Sequence, residues 1–115
     1  MSSERPVAPA VVVRHAGGHP EALRQVCAGL EEEGVPARVE QVPGDQGCVA
    51  LAYAAAGASP LETGIGIDAT GAVAVHHAAL PRTAPVRTLR AGAAAAEHRL
   101  AGGTAARIVT IQPLR

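Results

Sequence analysis

The stretch AVVVRHAGGHPEALRQVCAGLEEEGVP, from Ala10 to Pro36, decides the fold. Ala10-Val11-Val12-Val13 is a short β-branched run bounded by turn formers, the pattern of a buried strand. Ala16-Gly17-Gly18-His19 turns the chain, and Pro20 stands where the first turn of a helix tolerates a missing N–H. From Glu21 to Glu33 the apolar residues Leu23, Val26, Cys27 and Leu30 fall at i, i+3, i+4 and i+7, so one helix face is predicted to be buried. Gly34 offers a left-handed stop, and Pro36 forbids continuation. A buried strand, a tight turn and an amphipathic helix in succession open an α/β unit.

Outward from this unit the alternation continues. Arg38–Val42 reads as a second strand closed by a Pro-Gly-Asp turn, and Cys48–Ala56 as an Ala-rich second helix ended by Gly57 and Ser59-Pro60. Thr63–Ile67 and Ala72–His76 are two strands whose connection, Asp68-Ala69-Thr70-Gly71, has hairpin chemistry. Pro81 and Pro85 bracket the approach to a fifth strand, Val86–Leu89. Ala93–Ala96 is helix-compatible, Gly102-Gly103 breaks the pattern, and Thr104 is a natural N-cap for a last helix. These elements predict a single three-layer α/β/α domain with a mixed, about five-stranded sheet over residues 8–115, behind a flexible polar arm at residues 1–7.

The chain has 115 residues, formal net charge +0 and 48% hydrophobic residues, which suits one domain with its own core. All ten basic residues are arginines. Without lysine there is no Schiff-base chemistry and no P-loop lysine. With no Phe or Trp and one Tyr there is no platform for stacked bases, and balanced charge gives no basic patch, so no nucleic-acid partner is expected. Cys27 and Cys48, with no secretory leader in front of them, point to a reduced, intracellular chain. No apolar run reaches the ~20 residues of a membrane span, so no membrane partner is expected either.

Chemistry has few places to sit. The Gly17-Gly18 loop precedes a helix N-terminus, where free N–H groups attract phosphate, but it matches neither G-x-G-x-x-G nor a P-loop. None of His15, His19, His76, His77 and His98 shows metal-site spacing, and adjacent His76 and His77 point to opposite faces of a strand. There is no G-x-S-x-G elbow and no D-x-H-x-x-G cobalamin signature. One feature breaks a local rule: Glu31, Glu32 and Glu33 crowd the last turn of the first helix, where the macrodipole disfavours anions. On a helical wheel Glu31 and Glu33 flank the apolar stripe and Glu32 points away from Leu23, out of the domain. Three carboxylates there call for a compensating cation, either a hard metal ion or an Arg of another chain. A solvated acidic helix end is the plainer alternative.

The run Leu30-Glu31-Glu32-Glu33-Gly34-Val35-Pro36 resembles the Gly-Ile-Glu-Glu-Glu-Gly-Ile-Pro segment of the small subunits of diol and glycerol dehydratase-reactivating factors. The likeness continues in order through Ala58-Ser59-Pro60-Leu61, Gly64-Ile65-Gly66-Ile67-Asp68 and Val75-His76. It resumes in Leu80-Pro81, Ala84-Pro85, Thr88-Leu89, His98-Arg99 and Ala105-Ala106-Arg107. Ala16 stands where the family usually carries an acidic residue, and Tyr53 where it carries Trp. The resemblance implies a non-catalytic subunit with a fold similar to the dehydratase accessory subunit. It would pair with a large actin- and Hsp70-like ATPase, which binds ATP or ADP. By exchanging with a dehydratase subunit, it would let damaged cobalamin leave adenosylcobalamin-dependent diol or glycerol dehydratase, binding no cobalamin itself. It further implies that Glu32, or less directly Glu31 or Glu33, meets Mg2+ or Ca2+ at the contact with the large subunit. The setting expected is the cytoplasm, a bacterial microcompartment included. Two alternatives stay open: an accessory subunit of the dehydratase itself, and a small phosphate- or nucleotide-binding enzyme using Gly17-Gly18.

Overall fold

The computed structural model describes residues 8–111; the arm expected at residues 1–7 lies outside the described residues. The elements follow in the order β1 (Val11–His15), α1 (Pro20–Glu32), β2 (Ala37–Gln41), α2 (Cys48–Ala58), β3 (Thr63–Ile67), β4 (Val73–His77), β5 (Arg87–Leu89) and α3 (Ala95–Ile111). The strands form one mixed sheet in the order β2-β1-β3-β4-β5. β1 runs parallel to β2 and β3, while β4 and β5 add antiparallel beyond β3. α1 and α3 pack together on one face and α2 covers the other, giving the three layers expected.

The alternation in Thr63-Gly64-Ile65-Gly66-Ile67 sorts the two faces. Ile65 and Ile67 join Val11, Val13, Val73 and Val75 beneath α1 and α3, in a core shared with Val26, Leu30, Ala101 and Ala105. Gly64 and Gly66 turn towards α2, and the helix lies against them backbone to backbone. A Cβ on Gly64 would overlap Ala56 N, and one on Gly66 would overlap Cys48 O. An Ala-rich helix permits that approach, since Ala52, Ala55 and Ala56 are fully buried and carry no bulk to hold the layers apart.

Two helix boundaries differ from the sequence reading. α2 runs through Gly57, which is exposed in open space, and stops at Ser59. The Ser59 hydroxyl donates to Ala10 O at 2.7 Å and accepts the Leu61 N–H at 3.0 Å, fixing the exit. At the C-terminal end there is no break at Gly102-Gly103 and no helix start at Thr104. α3 is continuous across both glycines, and Thr104 is a mid-helix residue whose hydroxyl donates to Leu100 O. The glycines serve packing instead: a Cβ on Gly102 would overlap Val26 O, and one on Gly29 would overlap Arg99 O. The true start of α3 is marked by Glu97, whose carboxylate accepts the Ala94 N–H at 3.1 Å.

The buried face of α1 is also turned from the one read off the spacing. Val26 and Leu30 are fully buried as expected, but their companions are Ala22, Gln25 and Gly29, while Leu23 and Cys27 are only partly covered. Small and polar residues carry no hydropathy signal, so the stripe was placed roughly one residue (about 100°) away from its real centre.

Asp68 ties the β3–β4 turn to α2. Its Oδ2 accepts the Cys48 N–H at the helix start, and its Oδ1 accepts from the Thr70 N–H and hydroxyl and the Ala72 N–H. Burial pushes this carboxyl up, but the Thr70, Ala72 and Cys48 donors outweigh it and hold it below the usual aspartate range. A depressed carboxylate pKa contributes stability above the unfolded value, about pH 4, and that contribution disappears as pH falls through the lower folded value. Asp68→Asn is therefore expected to cost about 1 kcal/mol at neutral pH. It should also flatten the acid limb of a plot of denaturation midpoint against pH. An unaltered limb would remove Asp68 from the acid sensitivity of the fold.

Candidate functional site

The C-terminal end of α1 is closed by a glycine motif. Gly34, at φ +75°, donates to Glu31 O, and Val35 donates to Leu30 O while packing in the core beside it. No basic residue lies in the last turn of α1. The cation that faces the glutamates comes from α3: Arg99 Nη1 lies 3.1 Å from Glu32 Oε2. Arg99 Nε also donates to Gln25 Oε1 at 3.1 Å, and Gln25 Nε2 donates to Glu21 Oε2 at 2.9 Å. A chain of four polar side chains thus runs along the seam between α1 and α3, anchored by Gln25, which is 9% exposed.

Two features of the acidic triplet lie beyond the sequence reading. At Glu32 an arginine of the same chain supplies a counter-ion. Glu32 also does not point straight out of the domain. With the buried face centred on Ala22, Val26 and Gly29, Glu32 sits on the Gln25 side, facing α3, and Glu31 lies opposite the buried face. The structure brings Glu32 and Glu33 to one cleft and leaves Glu31 outside it. Glu31 instead lies near the Cys27 thiol, which burial and then that negative charge push up.

The cleft between α1 and α3 has a volume of about 490 Å³ and is lined by Gln25, Glu32, Glu33, Arg99, Leu100 and Arg107, among others. Leu100 is 45% exposed there. Arg107 is exposed and has no ion-pair partner among the described residues. Sequence reading passed over Gln25 and Leu100 and left Arg99 and Arg107 without a role. The available signal was the pair of glycines inside an otherwise helical pattern, which announces a close helix crossing as readily as a break.

Among the described residues no group of three His, Cys, Asp or Glu side chains could hold a metal ion. Glu32 offers one carboxylate oxygen, Oε1, beyond the one paired with Arg99. One free carboxylate oxygen beside a guanidinium is too small a donor set to hold a divalent cation within this chain.

His76 and His77 fix the chain at the end of β4. His76 is fully buried, donates from Nε2 to Arg82 O at 3.0 Å, and accepts the His77 N–H at Nδ1 at 2.9 Å. Its ring meets Tyr53 edge-on at 5.1 Å, and Arg82 lies 5.6 Å from the Tyr53 centroid. Tyr53 thus holds the β4–β5 connection against α2. His77 faces away, 4.0 Å from Glu62. Gly17 and Gly18 both adopt positive φ, at +87° and +84°, and turn β1 into α1 as read. The nearby cavity, lined by His19, Glu21, Gly71 and His98, contains no arginine. Glu21, which hydrogen bonds from Gln25 and Arg24 hold below the usual carboxylate range, already places an anion at that helix start.

The family model described as dehydratase medium subunit matches residues 8–115. The chain is 39% identical over 108 residues to the diol dehydratase-reactivating factor small subunit of Klebsiella michiganensis, covering 94% of this chain and 85% of the relative. It superposes on a solved glycerol dehydratase reactivase with a TM-score of 0.85 and 37% identity, covering 93% and 96% of the two chains. A structure of diol dehydratase-reactivating factor complexed with ADP and Mg2+ matches with a TM-score of 0.82 and 38% identity over 95% and 99%.

Proposed function

Because the chain belongs to the dehydratase medium subunit family, as a relative of the small subunits of diol and glycerol dehydratase-reactivating factors, we propose that it is the small subunit of such a factor. In this reading it is a non-catalytic adaptor in the cytoplasm. It pairs with a larger ATPase subunit and exchanges with a subunit of an adenosylcobalamin-dependent dehydratase, so that damaged cobalamin can leave. The observation that carries the proposal is the 39% identity to a reactivating-factor small subunit across 94% of the chain. The cleft supports it, because a half-exposed ion pair beside an exposed leucine is a surface that can dock and let go.

The ADP and Mg2+ named for the related factor belong to that protein. In this chain Glu32 is the residue proposed to reach a divalent cation at the contact with the larger subunit, with Glu33 beside it and Glu31 the least well placed. The cation would concentrate affinity in a few charged contacts.

The test is assembly with the cognate large subunit. Glu32→Gln is expected to leave the isolated domain folded and to weaken assembly about ten-fold or more when magnesium is present. Titration calorimetry with and without a chelator measures this. Equal affinities for both proteins in magnesium would remove Glu32 from the interface. The family description also admits a subunit of the dehydratase itself. A chain that co-purifies with dehydratase subunits and ignores the ATPase would establish that reading instead.

A further inference from the structure

β2 (Ala37–Gln41) has β1 on one side and no strand on the other among the described residues. Val11 N–H donates to Pro36 O and Val42 N–H donates to His15 O, so the even-numbered residues of β2 make the bonds to β1. The N–H and C=O groups of Ala37, Val39 and Gln41 therefore point away from the sheet, and no hydrogen bond reaches them among the described residues. Val39, at the centre of this edge, is 44% exposed. Pro36 and Pro43 flank the strand and keep the open edge short. An edge of this kind is a template for another strand.

We propose that β2 pairs antiparallel with β2 of a second copy of this chain, about a two-fold axis at Val39, to form a homodimer with one continuous sheet. In that register Val39 faces Val39, Ala37 faces Gln41, and Arg38 faces Glu40 on both sides of the axis. Every outward backbone group of the strand then finds a partner, Val39 with Val39 and Ala37 with Gln41. Arg38 and Glu40 fall at the non-hydrogen-bonded positions, where side chains of paired strands come closest. The neighbouring registers that keep outward groups paired set Arg38 against Arg38 or Glu40 against Glu40. The charge order of the strand thus admits the centred register and rejects its neighbours. Within one chain Glu40 already takes Arg14 Nε at 2.8 Å on Oε1 and Arg38 Nε at 3.2 Å on Oε2. Charge across the axis therefore selects register more than it adds affinity. Affinity comes from the backbone bonds and from Val39 packed on Val39. The same register brings Val42 of the second copy opposite Pro36, at the rim of a hollow of about 370 Å³ lined by Ala8, Ala10, Pro36, Ala37, Arg38 and Pro60. No residue of β2 lines the α1–α3 cleft, so the edge and the cleft are separate surfaces.

Sedimentation velocity of the full chain over about 1 μM to 1 mM tests this, since an interface of this small size associates weakly. Wild type should pass from monomer to dimer as concentration rises and go no further, because a two-fold contact closes on itself. Arg38→Glu sets carboxylates against each other on both sides of the axis, and Glu40→Arg does the same with guanidiniums. Each alone should weaken self-association about ten-fold or more, and mixing the two variant chains should restore a dimer, now of one copy of each. Val39→Lys keeps every bond to β1 and should also leave a monomer. Arg38 and Val39 are exposed, so their variants are expected to keep the wild-type melting curve. The proposal falls if wild type is monomeric throughout, or if it dimerises and neither Val39→Lys nor the charge variants weaken it. A monomeric wild type whose binding to the large subunit is weakened by Val39→Lys would give the edge to that partner and likewise overturn the dimer. Failure of the large subunit to bind at all leaves the test intact, because self-association is read from this chain alone.

Discussion

Gly66→Val should lower the melting temperature of the isolated chain by about 10–20 °C. Gly66 sits in the fully buried strand β3, where its missing side chain lets α2 rest on the sheet. A Cβ there would overlap Cys48 O, crowd Ala52 N and lie 2.7 Å from Leu51 Cβ, so the obstacle is mainly helix backbone, which has no rotamer to change. Relief requires α2 to lift as a body, and that strips Leu51, Ala52, Ala55 and Ala56 of their contacts with the sheet. Overpacking of this kind costs about 3 kcal/mol or more, a large share of a small domain's stability. The control is Gly57→Ala in α2, where nothing lies within 4 Å and the added methyl meets open water. That change should be neutral or stabilise by up to about 1 kcal/mol, because glycine is the poorer helix former. Thermal unfolding of the two variants decides the matter, and equal melting temperatures would show that the glycines of β3 do not set the spacing of the layers.

The fold was legible where side-chain chemistry repeats with the period of an element. The Val11-Val12-Val13 run, the Thr63–Ile67 alternation and the Pro20 and Gly34 boundaries of α1 each carry their own reason, and each element stands where that reason puts it. Legibility ended where glycine and alanine do the packing. Glycine within a helix reads as a stop from local propensity, yet Gly102 and Gly103 lie inside α3 because α1 presses against them. Tertiary contact overrides the intrinsic preference there. The candidate site suffered from the same blindness. The acid cluster was visible because three like charges at a helix C-terminus violate an electrostatic rule. Its counter-ion was not, because Arg99 is 67 positions beyond Glu32 in sequence and only the α1–α3 crossing brings them to 3.1 Å. Which glutamate points where depended in turn on the true centre of the buried face, and Gln25 and Gly29 had hidden that.

Gly102→Val carries the same expected loss of stability on the opposite face of the sheet, and it reaches the candidate site as well. The glycine lies where α3 crosses α1, and a Cβ on it would overlap Val26 O and come within 3.1 Å of Leu30 N. Both obstacles are backbone atoms of a helix whose side chains are already locked in the core, so the two helices must separate. The cost should again be about 3 kcal/mol or more. Separation also draws Arg99 away from Gln25 and Glu32, since those contacts bridge the same two helices at 3.1 Å each. Gly66→Val disturbs α2 and leaves this seam alone. The two variants therefore make a matched pair, measured below both melting temperatures, where each is folded. Gly66→Val should then bind the large subunit with nearly wild-type affinity, whereas Gly102→Val should bind it about ten-fold more weakly, the loss expected when a central contact is displaced. Equal binding by both would mean that the α1–α3 cleft is not where the subunits meet. Weak binding by Gly102→Val alone would tie the spacing of two helices, set by a hydrogen atom in place of a side chain, to assembly.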